Sequence, residues 1–241
     1  MSISGGHMLD IQRLVAGYGP LVVVRDIDLS VSAGEISVLI GRNGVGKTTL
    51  LRAVAGHRRA TEGSVAVAGE EVTSFPPHRR ARAGIAYVPQ GRDIFGTLTV
   101  KENLLVAVKA MRMRDPSRRL AEILDMLPLL GEKLQDRGAS LSGGQQQILA
   151  IGRALISDPK VLLLDEPSEG IQPSIVAEIA ETVARIAQER GLAVLVVEQN
   201  LDFVAKVAER VRVIDRGQIV ANLRVEDLVR EESLQHQYLG V

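Results

Sequence analysis

The residues best suited to chemistry are nine in a row: Gly41-Arg42-Asn43-Gly44-Val45-Gly46-Lys47-Thr48-Thr49. Glycines at 41, 44 and 46 let the backbone turn tightly and point successive N–H groups inward. There they join a helix N-terminus to cradle an anion. Lys47 is spaced to reach the β- and γ-phosphates of a nucleotide, and the Thr48 hydroxyl to hold Mg²⁺. Gly41, Asn43, Gly44, Gly46, Lys47, Thr48 and Thr49 are therefore the predicted phosphate-binding set. The flanks agree with this reading. An apolar, β-branched run from Ile36 to Ile40 precedes the loop and an amphipathic run from Leu50 to Ala55 follows it, giving strand, loop and helix.

Two further clusters complete a site. Val161-Leu162-Leu163-Leu164-Asp165-Glu166 ends an apolar strand in two carboxylates, and on a parallel sheet that strand end is where ligands bind. Asp165 can hold Mg²⁺ through its water shell, while Glu166 can orient and polarise an attacking water. A strand ending in solvated acids is common on its own; beside a phosphate loop it reads as a phosphoryl-transfer site. The other cluster is Leu141-Ser142-Gly143-Gly144-Gln145-Gln146-Gln147, in which Ser142 and Gln145 make a capping box. Two glycines in a first helical turn each cost roughly 0.5–1 kcal/mol relative to alanine, so some group must approach that backbone closely. A helix N-terminus is a second anion site, and two such sites for one nucleotide point to two chains sharing it.

The elements that must position these residues can be read from periodicity. Two apolar alternating runs between Leu9 and Val31 flank Gly17-Tyr18-Gly19-Pro20, a hairpin or meander. Glu62-Gly63 and Ala68-Gly69 bracket a short strand, and Ala83 to Val88 reads as another, ended by Pro89-Gln90-Gly91. From Thr99 to Ile156 the period is helical, with runs Val100–Met113, Arg118–Met126 and Ser142–Ile156. From Val161 strands and helices alternate: Val161–Leu164, Pro173–Arg190, Ala193–Val197, Leu201–Ala208 and Val211–Asp215. Apolar strands between helices predict a parallel sheet covered on both faces. Arg224 to Tyr238 reads as short helices. Met1 to Met8 is small and polar, an expected disordered start or cloning scar.

Composition narrows the function. At 241 residues the chain fits one domain, with or without a small subdomain. Lys+Arg 29 against Asp+Glu 29 leaves no net field to attract nucleic acid, and 2% aromatic residues leave few stacking platforms for bases. With no cysteine there is no disulfide, thiolate metal site or thiol nucleophile. No apolar run approaches the roughly 18–20 residues of a membrane span, so a membrane role is expected to come through partners.

The ordered set of Gly41 to Thr48, Gln90, Leu141 to Gln145 and Val161 to Glu166 resembles the ATPase subunit of an ATP-binding cassette (ABC) transporter over nearly the whole chain. The resemblance implies an α/β fold: a P-loop NTPase (RecA-like) core with an N-terminal antiparallel β-subdomain, about 9–92 and 157–241, and an inserted α-helical subdomain, about 93–156. It implies ATP and Mg²⁺, and a head-to-tail dimer in which Ser142, Gly143, Gly144 and Gln145 of one chain meet ATP on the phosphate loop of the other. Tyr18 resembles the aromatic that stacks on adenine; a turn aromatic covering the first strands is the alternative. Gln90 resembles the loop glutamine that meets Mg²⁺ and water and joins the helical subdomain to the core. Lys47, Glu166, Gln90 and Gln199 are the expected catalytic set, with Thr48, Gln90 and Asp165 at the metal. Ile94, Phe95 and Leu98 either border a groove for a cytoplasmic helix of a membrane partner or pack under the helices. The implied partners are a second ATPase subunit, two transmembrane permease subunits and, indirectly, a solute-binding protein, with the chain peripheral on the cytoplasmic face of the membrane.

Two departures refine the resemblance. Val197-Glu198-Gln199-Asn200 has glutamine where many members have histidine, and an amide cannot carry charge or exchange a proton near neutral pH. Gln172 stands where an aspartate is usual, removing a carboxylate expected to communicate across the dimer. Both departures resemble the shorter ATPase of branched-chain amino acid and urea importers, a branch that pairs two different ATPases. Import of branched-chain or other amino acids is the first expectation, and urea or an amide the next. Related ATPases in DNA repair or translation carry coiled coils, zinc modules or tandem cassettes for which this chain has no room.

Overall fold

The computed structural model describes residues 6–111 and 115–240. The chain opens with β1 (His7–Tyr18), β2 (Leu21–Ser32), β3 (Ile36–Ile40), α1 (Lys47–Val54), β4 (Ala60–Val67), β5 (Glu70–Glu71), α2 (Pro77–Ala83) and β6 (Ile85–Val88). Helices α3 (Val100–Met111), α4 (Pro116–Met126), α5 (Pro128–Glu132) and α6 (Gly143–Leu155) follow. The chain then runs through β7 (Val161–Asp165), α7 (Pro173–Arg190), β8 (Ala193–Glu198), α8 (Leu201–Val207), β9 (Arg210–Asp215), β10 (Gln218–Arg224), α9 (Val225–Arg230) and α10 (Glu232–Tyr238).

Among the described residues these strands form two sheets. One is antiparallel, ordered β2-β1-β4-β5, and the other is ordered β10-β9-β3-β8-β7-β6. In the second sheet β9, β3, β8, β7 and β6 are parallel and β10 is an antiparallel edge. Strand alternation divides the apolar side chains between two cores. Val38, Leu162, Leu164, Val194 and Val196 face the layer of α3, α6 and α7. Leu39, Val161, Leu163, Leu195 and Val197 face α1 and the antiparallel sheet. This is the parallel sheet covered on both faces that the continuous apolar runs predict, and it brings the C-terminal ends of β3, β7 and β8 side by side.

Local signals account for several boundaries. Ser142 and Gln145 form the full capping box at the start of α6, Asn200 caps α8, and Gly191 ends α7 in the left-handed conformation. Other expectations shift. β1 begins at His7, so His7 and Met8 belong to the fold; residues 1–5 and Met113 lie outside the described residues. Glu62 and Gly63 lie within β4 rather than bracketing a strand, because Arg13 (φ 45°) and Gly63 (φ 79°) make a bulge that keeps the β1–β4 ladder going. β10 went unrecognised: as an edge strand with alternate residues exposed, it lacks the apolar run that marks its neighbours.

Arg80 is 2% exposed and faces no carboxylate. Its guanidinium instead donates to the carbonyls of Ala53 and Val54 at the end of α1, both at 2.7 Å, and to those of Thr73 and Phe75. It thereby fixes the end of the helix that begins at the phosphate loop. Arg80→Ala removes four hydrogen bonds and leaves a buried cavity, with the Ala53 carbonyl keeping only its bond from the Gly56 N–H, and should lower unfolding free energy by about 3 kcal/mol. Thermal or urea melts should show that loss, with Arg79→Ala, at an exposed position, close to wild type.

Candidate functional site

The site lies at the ends of β3, β7 and β8, as the doubly covered sheet requires. The loop from β3 into α1 turns through Gly44 (φ 81°) and Gly46 (φ 113°), both in conformations that L side chains avoid. Gly41 has a second reason to be glycine, since a Cβ there would collide with the Ile214 carbonyl. Lys47, 4% exposed, donates to the carbonyls of Gly41 at 2.7 Å and Arg42 at 3.1 Å, and its ammonium lies 3.1 Å from Glu166 Oε1. The cleft of about 180 Å³ is lined by Asn43, Gly44, Gly46, Lys47, Thr48, Thr49, Gln90 and Glu166. That is below the roughly 300–1,000 Å³ of whole-ligand pockets, and suits a phosphate tail whose base lies outside.

Asp165 and Glu166 divide their labour by depth. Asp165 is buried, accepting a hydrogen bond from Thr48 Oγ1 at 2.9 Å and from the Tyr87 hydroxyl at 2.8 Å. Burial pushes its carboxyl above the ordinary aspartate range, with the Glu166 charge adding to the shift and the two hydrogen bonds opposing it. The Thr48 hydroxyl and Asp165 carboxylate are hard oxygen ligands held together. Among the described residues no three acidic or imidazole groups cluster, so a divalent cation here would need phosphate oxygens and water to complete its shell.

Glu166 sits one residue past the strand with φ 48°, a strained backbone for a non-glycine residue. Its carboxylate accepts from Gln199 Nε2 at 2.9 Å and Gln90 Nε2 at 3.3 Å. The Gln199 amide also donates to Asn43 Oδ1 at 2.6 Å. A carboxylate only accepts, so the contact fixes which way this amide points. The structure thus brings Lys47, Gln90, Glu166 and Gln199 together with the loop.

Two sequence-selected groups lie apart. Tyr18, 37% exposed at the hairpin tip, has the Arg58 guanidinium stacked on one ring face at 4.0 Å. Ser142 to Gln145 start α6 away from the chain's own phosphate loop and contribute nothing to its cleft. Gly144 has a packing reason of its own, because a Cβ would strike Ile175 of α7; the inference of close ligand approach from both glycines therefore narrows to Gly143. Of the apolar loop residues, Ile94 packs against the core, while Phe95 is 42% exposed under the Arg153 guanidinium.

Sequence reading missed Tyr87 and Glu198. Glu198 is buried and accepts from the backbone N–H groups of Ser168, Gln199 and Asn200, so one carboxylate shapes the loops that follow both Glu166 and β8. An acid closing an apolar strand was its only signal. Tyr87 gave none, because its partner lies 78 residues away.

Protonating Asp165 removes the form that holds a cation, and the raised pKa brings that loss closer to neutrality. If Asp165 helps hold Mg²⁺, affinity of the nucleotide-loaded protein for the cation should weaken as pH is lowered, and at higher pH than an ordinary aspartate would give. Tyr87→Phe, lacking a donor that stabilises the charged form, should move the fall to higher pH, and Asp165→Asn should bind weakly at every pH. Mg²⁺ titration followed with a fluorescent nucleotide reads all three.

Comparison with known proteins agrees with this geometry. Residues 24–169 match the family described as ABC transporter. A high-affinity branched-chain amino acid transport ATP-binding protein, BraG of Pseudomonas aeruginosa, is 40% identical over 97% of this chain and 100% of its own length. The lipopolysaccharide export system ATP-binding protein LptB of Haemophilus influenzae is 34% identical, covering 97% of each. A solved nucleotide-free ATP-binding cassette from an ABC transporter superposes with a TM-score of 0.83 at 26% identity, covering 98% of this chain and 100% of that one.

Proposed function

The chain belongs to the ABC transporter family and is an ATP-hydrolysing subunit, and on that premise we propose that it powers import of branched-chain or related amino acids. The observation that carries the finer reading is Gln199, the departure that resembles the importer branch, placed between Asn43 and Glu166. The similarity to BraG supports the same solute class.

In this reading the loop amides and Lys47 bind the ATP phosphates, and Thr48 and Asp165 hold Mg²⁺, which neutralises charge on the transferring phosphoryl group. Glu166, steadied by Gln199 and Gln90, aligns water for in-line attack. Tyr18 stacks on adenine. The Ser142–Gln145 turn points away from its own cleft, as a group serving the ATP of a second ATPase subunit must. Gln199 and Gln172 make the dimer one of unequal chains, the partner carrying the titratable histidine. In this reading the chain docks on permease subunits at the cytoplasmic face; no described helix is long and apolar enough to cross a membrane itself.

A groove supports that docking. Adjoining clefts of about 420 and 350 Å³ lie between the core and α3 and α6, sharing His57, Tyr87 and Arg153. Arg153 lines both clefts, its guanidinium donating to the Asp93 carbonyl and lying over the exposed Phe95 ring at their rim.

A second reading, lipopolysaccharide export, is favoured by the similarity to LptB. Reconstitution with the cognate permeases separates the two. Binding protein loaded with a branched-chain amino acid should stimulate ATP hydrolysis and solute uptake; stimulation by lipopolysaccharide instead would select export. Equal coupled activity with this chain as the sole ATPase would refute the unequal dimer. Independently, Glu166→Gln should retain ATP binding and accumulate an ATP-bound dimer on size exclusion, with turnover lowered about a hundred- to ten-thousandfold. Unchanged hydrolysis would remove Glu166 from its role.

A further inference from the structure

Arg92 joins three segments that belong to different parts of the chain. It follows Gln90 by two residues, and both it (φ 72°) and Asp93 (φ 48°) are left-handed, an unfavourable backbone for two non-glycine residues in succession. That turn sends the guanidinium inward. Nη1 donates to Gln146 Oε1 at 3.2 Å, early in α6, and Nη2 donates to the Glu169 carbonyl at 3.0 Å, in the loop after Glu166. A Cβ on Gly143 would come within 3.3 Å of Nη2 and 3.4 Å of the Gly170 carbonyl, so the guanidinium packs closely against this turn. Arg92 thus lies directly against the first turn of α6 at Gly143.

These contacts connect the two kinds of site described above. Gln90 and Glu166 touch at 3.3 Å in the chain's own cleft. Three residues beyond Glu166, the backbone is bonded to Arg92, and Arg92 is bonded to the helix that begins with the Ser142–Gln145 turn. Neither acceptor is a carboxylate, so the guanidinium is held by neutral groups and can exchange them as the loops shift. The same side chain lines the 420 Å³ groove, where a docked helix would bear on it.

We propose that Arg92 is a positioning residue that couples the ATP held by this chain to the signature turn it offers to the ATP of its partner. The proposal rests on the two-chain reading given above. It supplies a route of communication in a chain whose Gln172 lacks the carboxylate expected to carry one. Movement of the Gln90 or Glu166–Gly170 segments on hydrolysis would be passed through the guanidinium to the start of α6, and closure on the partner's ATP would be passed back.

The test is the ATP-concentration dependence of hydrolysis by the assembled ATPase dimer, with fluorescent-ATP affinity and thermal melting of the isolated chain measured alongside. Arg92→Ala should leave affinity and melting of the isolated chain unchanged, while in the dimer cooperativity is lost, removing a roughly 5- to 150-fold effect of one bound ATP on the affinity for the other, and the maximal rate falls. Arg92→Lys, with charge but reach for one acceptor, should be intermediate. Adding Gln146→Ala to Arg92→Ala should cost nothing more. A cooperative wild type with an equally cooperative and equally fast Arg92→Ala overturns the proposal. A fall in rate matched by lost nucleotide affinity or a lowered melt makes Arg92 merely structural and also overturns it. A wild-type dimer that neither needs ATP nor responds cooperatively overturns the two-chain reading, and this proposal with it.

Discussion

A buried ammonium must be paired, and the site is arranged around how Lys47 meets that requirement. Its three donors are taken by two carbonyls of its own loop and by Glu166. The carbonyls hold the turn closed around a cation, and the ion pair draws Glu166 toward the loop at a strained φ. A phosphate oxyanion entering the cradle competes with Glu166 for the same ammonium. Each oxygen that Lys47 gives to phosphate loosens its hold on the carboxylate, which the amides of Gln199 and Gln90 then direct. In the proposed mechanism, ligand binding and release of Glu166 toward water would therefore be one exchange of partners, driven by the cost of leaving a buried charge unpaired.

What the sequence made legible is what the chain encodes over a few residues. The glycine loop, the capping box of Ser142 and Gln145, the carboxylates ending β7 and the span of α7 all rest on spacings of one turn or one strand. The residues that escaped notice act over long separations. Thr48 and Asp165 lie 117 residues apart and were legible only because each sits in a recognisable motif. Tyr87, Arg92 and Glu198 sit in none, and each acts on a group 30 to 78 residues distant. Arg42 is a further case. Inside the loop motif it reads as filler, yet its guanidinium donates to the His236 carbonyl at 2.6 Å, tying α10 to the phosphate loop across 194 residues.

Gln199 shows how one substitution alters a site without dismantling it. An imidazole next to Glu166 could donate, accept or carry charge according to pH. The amide has two donors on one nitrogen and uses both, on Asn43 and Glu166. It can hold the carboxylate and the loop in register, and it cannot take up a proton when the charge distribution changes. In the proposed site the carboxylate is still held while the one titratable neighbour a histidine would supply is gone, which is how two unequal copies of one site would differ in timing.

Gly143 and Gly144 separate two causes that composition alone merges. Both cost the helix stability, and both look like room made for a ligand. Gly144 makes room for Ile175, an ordinary packing contact between α6 and α7. Gly143 borders a guanidinium, a group that is neither core nor ligand but a charged link between loops. A pair of glycines thus marks a surface where one residue anchors the helix to the core and the next leaves its first turn steerable. Rigidity and movement are set a single residue apart, where a turn that serves another chain's ATP would need both.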